Sequence, residues 1–212
     1  MNLVEGLRDL IFPLRCLGCR TPHLELCNEC ARELRFRDYR SHIRSVPVFS
    51  SILYGPKASH ILLAAKEDGV RTADDILVAA LQHSLRIAMR TCSIRPALVP
   101  IPHSTKAIRR RGRDFVGGIT DRLSETANLP VHKLIRHNRK IADQSLLDAS
   151  ARRGNLSGAM SVVSNHGRVS EVFLVDDLMT TGATLGEAVR TLERAEFRVV
   201  AAVTALVALP LR

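Results

Sequence analysis

The stretch from Val172 to Leu185 constrains the fold more than any other part of the chain. Val172-Phe173-Leu174-Val175 is apolar and half valine, which predicts a buried strand, and a helix is predicted from about Gly182 to Ala195. The junction between them reads Asp176-Asp177-Leu178-Met179-Thr180-Thr181-Gly182-Ala183-Thr184. Adjacent carboxylates at the carboxyl end of a strand raise each other's pKa, so the pair is unfavourable unless a ligand uses it. A sugar diol or a hydrated cation would. Thr180, Thr181 and Thr184 place three hydroxyls around Gly182, where a helix start also offers free backbone N–H groups to a phosphate. Together these groups describe a ribose 5-phosphate, its diol on Asp176 and Asp177 and its phosphate in the turn from Thr180 to Thr184. Simple helix capping needs one such residue, whereas this loop has five.

A second pattern lies near the N-terminus. Cys16-Leu17-Gly18-Cys19 is followed, after seven residues, by Cys27-Asn28-Glu29-Cys30. Two C-x-x-C pairs this close form a tetrathiolate framework suited to Zn²⁺, because each tight turn brings two sulfurs together. Four protein ligands leave no open coordination position, so the expected zinc is structural. Disulfides are the alternative, disfavoured in a reducing cytosol. Cys92 reads as a buried, inert thiol.

Between these motifs, strands and helices are predicted to alternate. Glu33 to Arg44 is charged and aperiodic and reads as a linker, Val46 to Leu53 as a strand, and Ala58 to Lys66 and Thr72 to Arg90 as helices started by Thr72 and Asp74-Asp75. Ala97 to Pro102 is a short apolar strand. It is followed by His103-Ser104-Thr105-Lys106 and the run Arg109-Arg110-Arg111-Gly112-Arg113. A loop rich in donors and cations at a strand's carboxyl end suits pyrophosphate, with His103, Ser104, Thr105, Lys106, Arg109 and Arg113 as its ligands. A nucleic-acid patch and a solvated helix start remain open alternatives. Phe115 to Ala127 predicts a helix, Val131 to Ile135 a strand, and Arg136 to Asp148 either a lid or a surface loop. Alternation of this kind predicts an α/β fold, a mostly parallel sheet flanked by helices, over residues 46–212, preceded by a small N-terminal helix and four-cysteine zinc module over residues 1–45.

Net charge is +10, from 31 Lys and Arg against 21 Asp and Glu, which favours anionic partners such as sugar phosphates or nucleic acid. The longest apolar run, Val199 to Leu209, is well short of the ~20 residues that span a bilayer, so no membrane insertion is expected. Leu3, Val4, Leu7, Leu10, Ile11 and Leu14 follow helical spacing with Glu5 and Asp9 among them, which does not fit a signal peptide and predicts a cytoplasmic protein.

In its motifs the chain resembles the ComF and GntX family of bacterial phosphoribosyltransferase-like proteins. The resemblance is carried by the four cysteines, Lys66 after Ala64-Ala65, Val99-Pro100-Ile101-Pro102-His103, the Arg-Arg-Gly element, Asp143-Gln144-Ser145-Leu146, Arg152-Arg153-Gly154-Asn155-Leu156 and the Asp-Asp to Thr184 loop. Arg111-Gly112-Arg113-Asp114-Phe115 departs from the Arg-Gly-Phe-Asn-Gln usual in the family. The resemblance implies a type I phosphoribosyltransferase fold in which Asp176 through Thr184, Leu178, Met179 and Ala183 included, bind phosphoribosyl pyrophosphate (PRPP) with Mg²⁺. It also implies a link to natural competence and DNA uptake. Two functions follow from it: phosphoribosyl transfer to an acceptor, with Asp176 and Asp177 catalytic, or a non-catalytic competence factor that binds PRPP or single-stranded DNA and a helicase partner. Few aromatic residues are present to stack bases, 4% of the chain, so only weak, salt-sensitive DNA binding is expected.

Overall fold

The computed structural model describes residues 14–22, 24–92, 95–138, 158–163 and 170–208. Most of the predicted N-terminal helix, most of the predicted lid and the Arg152 to Leu156 element lie outside these residues.

The elements in chain order are α1 (Asn28–Glu33), β1 (Tyr39–Ile43), β2 (Val46–Leu53), α2 (Pro56–Lys66), α3 (Arg71–Met89), β3 (Ala97–Pro100), α4 (Thr105–Arg111), α5 (Phe115–Ala127), β4 (Ile135–His137), β5 (Met160–Val162), β6 (Glu171–Met179), α6 (Ala183–Glu193) and β7 (Arg198–Val207). A five-stranded sheet has the order β1-β2-β7-β6-β3. Every pairing in it is parallel except that of β1 with β2. The α/β fold with a mostly parallel sheet is therefore as the sequence predicts. A second, antiparallel pair joins β4 to β5.

Parallel strands covered on both faces are continuous apolar runs, and β6 and β7 fit that rule. Alternation along β6 sends Phe173 and Val175 into a core with α2, α3 and α5, and Val172 and Leu174 into a core with α6. The amphipathic α3 buries Leu77, Leu81, Leu85 and Ala88 on the first of these faces. Cys16, Leu17, Cys30 and Leu34 join that same core, so the cysteine segment packs on the sheet's helical layer. Lys57 of α2 reaches Glu29 and Glu33 of α1, and Thr72 of α3 bonds Glu25 at 3.0 Å.

Three local expectations change. The segment read as a linker contains β1, whose residues alternate between half-buried Tyr39, Ser41 and Ile43 and exposed Arg40 and His42. Val131 makes only an isolated parallel bridge to Leu98, and the strand begins later, at Ile135. The start of α3 carries no side-chain cap, because the capping position is Val70; Thr72 turns to Glu25, and Asp74 and Asp75 pair with Arg113 and Arg122 of neighbouring segments.

Candidate functional site

β6 continues four residues beyond its apolar run, so Asp176 and Asp177 lie within the strand, with Asp176 opposite Thr204 of β7. Both are buried, at 7% and 4% exposure. Strand alternation turns Asp177 to the α2 face, where its Oδ2 accepts from Lys66 Nζ at the end of that helix. Asp176 Oδ1 accepts from the Asp177 backbone N–H at 2.9 Å. Burial, then the negative charge of Asp177, pushes the Asp176 carboxyl well above the usual carboxylate range. Burial opposes ionisation of Asp177 as well, but Lys66 outweighs it and holds that carboxyl below its ordinary value. The pair is thus asymmetric: Asp177 is the more readily ionised carboxyl and Asp176 the more readily protonated one.

The chain leaves β6 through a tight turn. Gly182 caps α6 in the left-handed region, at φ 72°. Leu178, Met179, Thr180, Thr181, Gly182, Ala183 and Thr184 line a pocket of about 40 Å³. All seven are residues that the sequence assigns to the ligand loop. Ile43 of β1 lies against this turn, so close that a methyl group on Gly182 would meet its Cδ1 at 1.9 Å.

The loop after β3 runs beside it, since Pro100 pairs with Val175 and Ile101 N–H donates to the Val175 carbonyl at 2.9 Å. His103 in this loop has a buried Nδ1 that lacks a hydrogen-bond partner. Burial, then the Lys66 charge, lowers its pKa to about 4, so the imidazole is neutral at pH 7. Ser104 caps α4 by accepting from Ala107 N–H at 3.2 Å.

The structure brings His103 to the carboxylates and turns much of the arginine run elsewhere. Arg113 forms a two-pronged ion pair with the buried Asp74, at 2.6 and 2.8 Å, donates to the Ala65 carbonyl and stacks its guanidinium 5.1 Å from the Phe115 ring centroid. Arg110 and Arg111 both bond Glu67, the residue after α2. Thr105, Lys106 and Arg109 are exposed. Lys66 enters the site unforeseen. Its only sequence signal is membership of the Ala64-Ala65-Lys66 element, to which no role could be attached.

The second cluster is the cysteine set. The four sulfurs of Cys16, Cys19, Cys27 and Cys30 lie within 4.8 Å of one another, and those of Cys19 and Cys27 are 3.7 Å apart. A tetrahedron with Zn–S bonds of ~2.3 Å has edges of roughly 3.8 Å, so the donor set fits zinc. Backbone N–H groups of Cys27 and Cys30 point at Cys16 and Cys27 sulfur, as they do toward thiolates. Burial opposes ionisation of Cys16, but N–H groups from Cys19, Cys27 and Gly18 bring its pKa to about 6. His60 bonds the Gly18 carbonyl at 2.6 Å and ties the first knuckle to α2.

No family model matches the chain. It is similar to Competence protein F of Haemophilus influenzae, 27% identical over 194 residues that cover 84% of each chain. This curated homologue agrees with the family resemblance read from the motifs. Among solved structures, the chain is similar to adenine phosphoribosyltransferase from Leishmania donovani, with 12% identity, TM-score 0.38 and coverage of 82% of this chain and 77% of the other. Adenine phosphoribosyl transferase from Trypanosoma brucei, in complex with AMP, pyrophosphate and ribose-5-phosphate, gives 9%, 0.39, 84% and 78%. Among the described residues no helix is long and apolar enough to cross a membrane.

Proposed function

We propose that the chain is a phosphoribosyltransferase that binds PRPP at the β6–α6 junction and transfers the phosphoribosyl group to an acceptor. The observation that carries this reading is the burial of Asp176 and Asp177 at the head of a turn whose pocket is lined by Leu178 to Thr184. Asp176 and Asp177 hold the ribose hydroxyls, with ionised Asp177 as an acceptor. Thr180, Thr181 and Thr184 hold the 5-phosphate with the N–H groups that open α6. In the transfer, the bond from C1 to the pyrophosphate oxygen breaks, its electron pair leaves with pyrophosphate, and the acceptor closes on C1 and gives up a proton. His103 and Ser104 face the leaving group, with exposed Thr105, Lys106 and Arg109 beyond them; Arg113 joins them only by leaving Asp74. Mg²⁺ bound to PRPP would neutralise charge on the pyrophosphate.

The supporting test has two parts. Calorimetry should show PRPP binding in wild type and a loss of ~1 to 3 kcal/mol per charge-assisted bond in the Asp176→Asn, Asp177→Asn double variant. Phosphorus NMR of protein, PRPP, Mg²⁺ and a metabolite extract should show pyrophosphate release; binding without release moves the reading to a non-catalytic competence factor. That second reading is favoured by the homologue's name, and there PRPP binding and a helicase partner replace turnover. In either case single-stranded DNA is expected to bind only weakly, with affinity falling steeply as salt rises.

Zinc is proposed for the four-cysteine cluster, as a structural ion. Metal analysis of reduced, folded protein purified without added metal should give one zinc per chain; iron, or no metal, refutes it.

A further inference from the structure

Lys66 belongs to neither the carboxylate pair nor the threonine turn, yet its ammonium bonds Asp177. The side chains are 19% and 6% exposed, so this ion pair is largely shut off from water. The ammonium also lies 5.9 Å from the Phe115 ring centroid, above an apolar surface. The nearby imidazole of His103 is neutral, which leaves Lys66 as the cation that, among the described residues, faces Asp177. Arg110, Arg111 and Arg113 are held by Glu67 and Asp74.

A diol that takes Asp177 therefore displaces a nearly buried ammonium from its partner. Stranding one half of such a pair is strongly unfavourable, because the remaining charge has lost both water and its counter-ion. A ligand that carries its own anion to Lys66 avoids this loss, whereas a sugar with a neutral substituent at that place does not. Discrimination of this kind works by penalising the wrong ligand as much as by attracting the right one.

We propose that Lys66 is the specificity-determining residue of this site: it rests on Asp177 in the unliganded protein and passes to an anionic group on the sugar's anomeric carbon, so that a ribose phosphate lacking that second anion is rejected. This inference rests on the phosphosugar reading above. It assigns the first contact of the anomeric anion to α2 and leaves Arg110, Arg111 and Arg113 as scaffold.

Calorimetry with PRPP and with ribose 5-phosphate, both with Mg²⁺, on wild type, Lys66→Met and Lys66→Arg tests it. Wild type should bind PRPP about 100-fold more tightly than ribose 5-phosphate, the worth of one desolvated charge-assisted contact. Lys66→Met should lose most of its PRPP affinity and bind ribose 5-phosphate as well as wild type or better, since Asp177 is then vacant. Lys66→Arg should keep the preference. If Lys66→Met weakens both sugars equally, or leaves their ratio unchanged, the proposal is overturned and Lys66 is a structural partner of Asp177. Should Lys66→Met fail to fold, equal affinity of wild type for the two sugars overturns it as well, and a retained preference in Lys66→Arg supports it. Wild type that binds neither sugar refutes instead the phosphosugar reading on which it rests.

Discussion

Two neighbouring strands hand over to helices at the same edge of the sheet, β3 to α4 and β6 to α6, and they differ in what is left for a ligand. After β3 the sequence supplies four arginines within five residues, and the fold consumes three of them in ion pairs to Glu67 and Asp74. After β6 it supplies carboxylates and threonines, and the fold leaves a pocket along the turn that carries the threonines. A glycine in the left-handed region ends α4 and another opens α6, Gly112 at φ 70° with open space around it and Gly182 at φ 72° under Ile43. One junction is followed by a staple that fixes α4 to α2 and α3; the other keeps an open pocket. Charge density along a sequence therefore overstates a binding site wherever the partners of those charges come from distant helices.

Arg113→Ala gives the sharpest test of the staple. It strands Asp74, whose side chain is 10% exposed, and should lower stability by about 3 to 5 kcal/mol in urea unfolding. A folded, equally stable Arg113→Ala protein with weakened PRPP binding would break the comparison.

Titration comes next. His103 has a pKa of about 4 in the folded chain against an ordinary 6.5, so the unfolded chain binds more protons between those values and stability falls as pH drops through that window. The loss reaches about 3 kcal/mol at ~1.4 kcal/mol per unit, and His103→Gln should abolish it. Asp176 works in the opposite sense. Its raised folded pKa makes the folded chain the better proton binder, and stability falls as pH rises past the ordinary carboxylate range. Melting curves at stepped pH should show Asp176→Asn more stable than wild type at pH 7.

The two glycines separate geometry from crowding. Gly112→Ala should cost about 1 to 2 kcal/mol, the left-handed penalty alone. At Gly182 the same penalty adds to the contact with Ile43, so Gly182→Ala should be worse, and Ile43→Ala should remove only the excess. Arg109→Ala is expected to change stability by less than about 0.5 kcal/mol, since Arg109 is exposed.

Much of this was legible in the sequence because it is local. The bounds of α5 and the cysteine pairs follow from periodicity and spacing within a few residues. β1 was not legible: its outward positions are Arg40 and His42, and its inward ones are too polar to signal a strand before β2 is there to pair with it. Asp74 read as a helix start because its partner Arg113 lies 39 residues away. Lys66 and Asp177 are 111 residues apart, and only the fold makes them neighbours.

The order of strands across the sheet has a consequence for biosynthesis. β7, the last described element in the chain, lies between β2 and β6, so Val48 has no parallel neighbour until Ala202 has been made. At ~5 to 20 residues per second, the early strands wait many seconds on the ribosome for the one that joins them. The four cysteines lie close together near the start of the chain and need no β7 to meet. Capture of the metal proposed for them would precede the sheet and shield the thiols from oxidation during the wait, whereas the paired carboxylates reach their buried setting only when synthesis is almost complete.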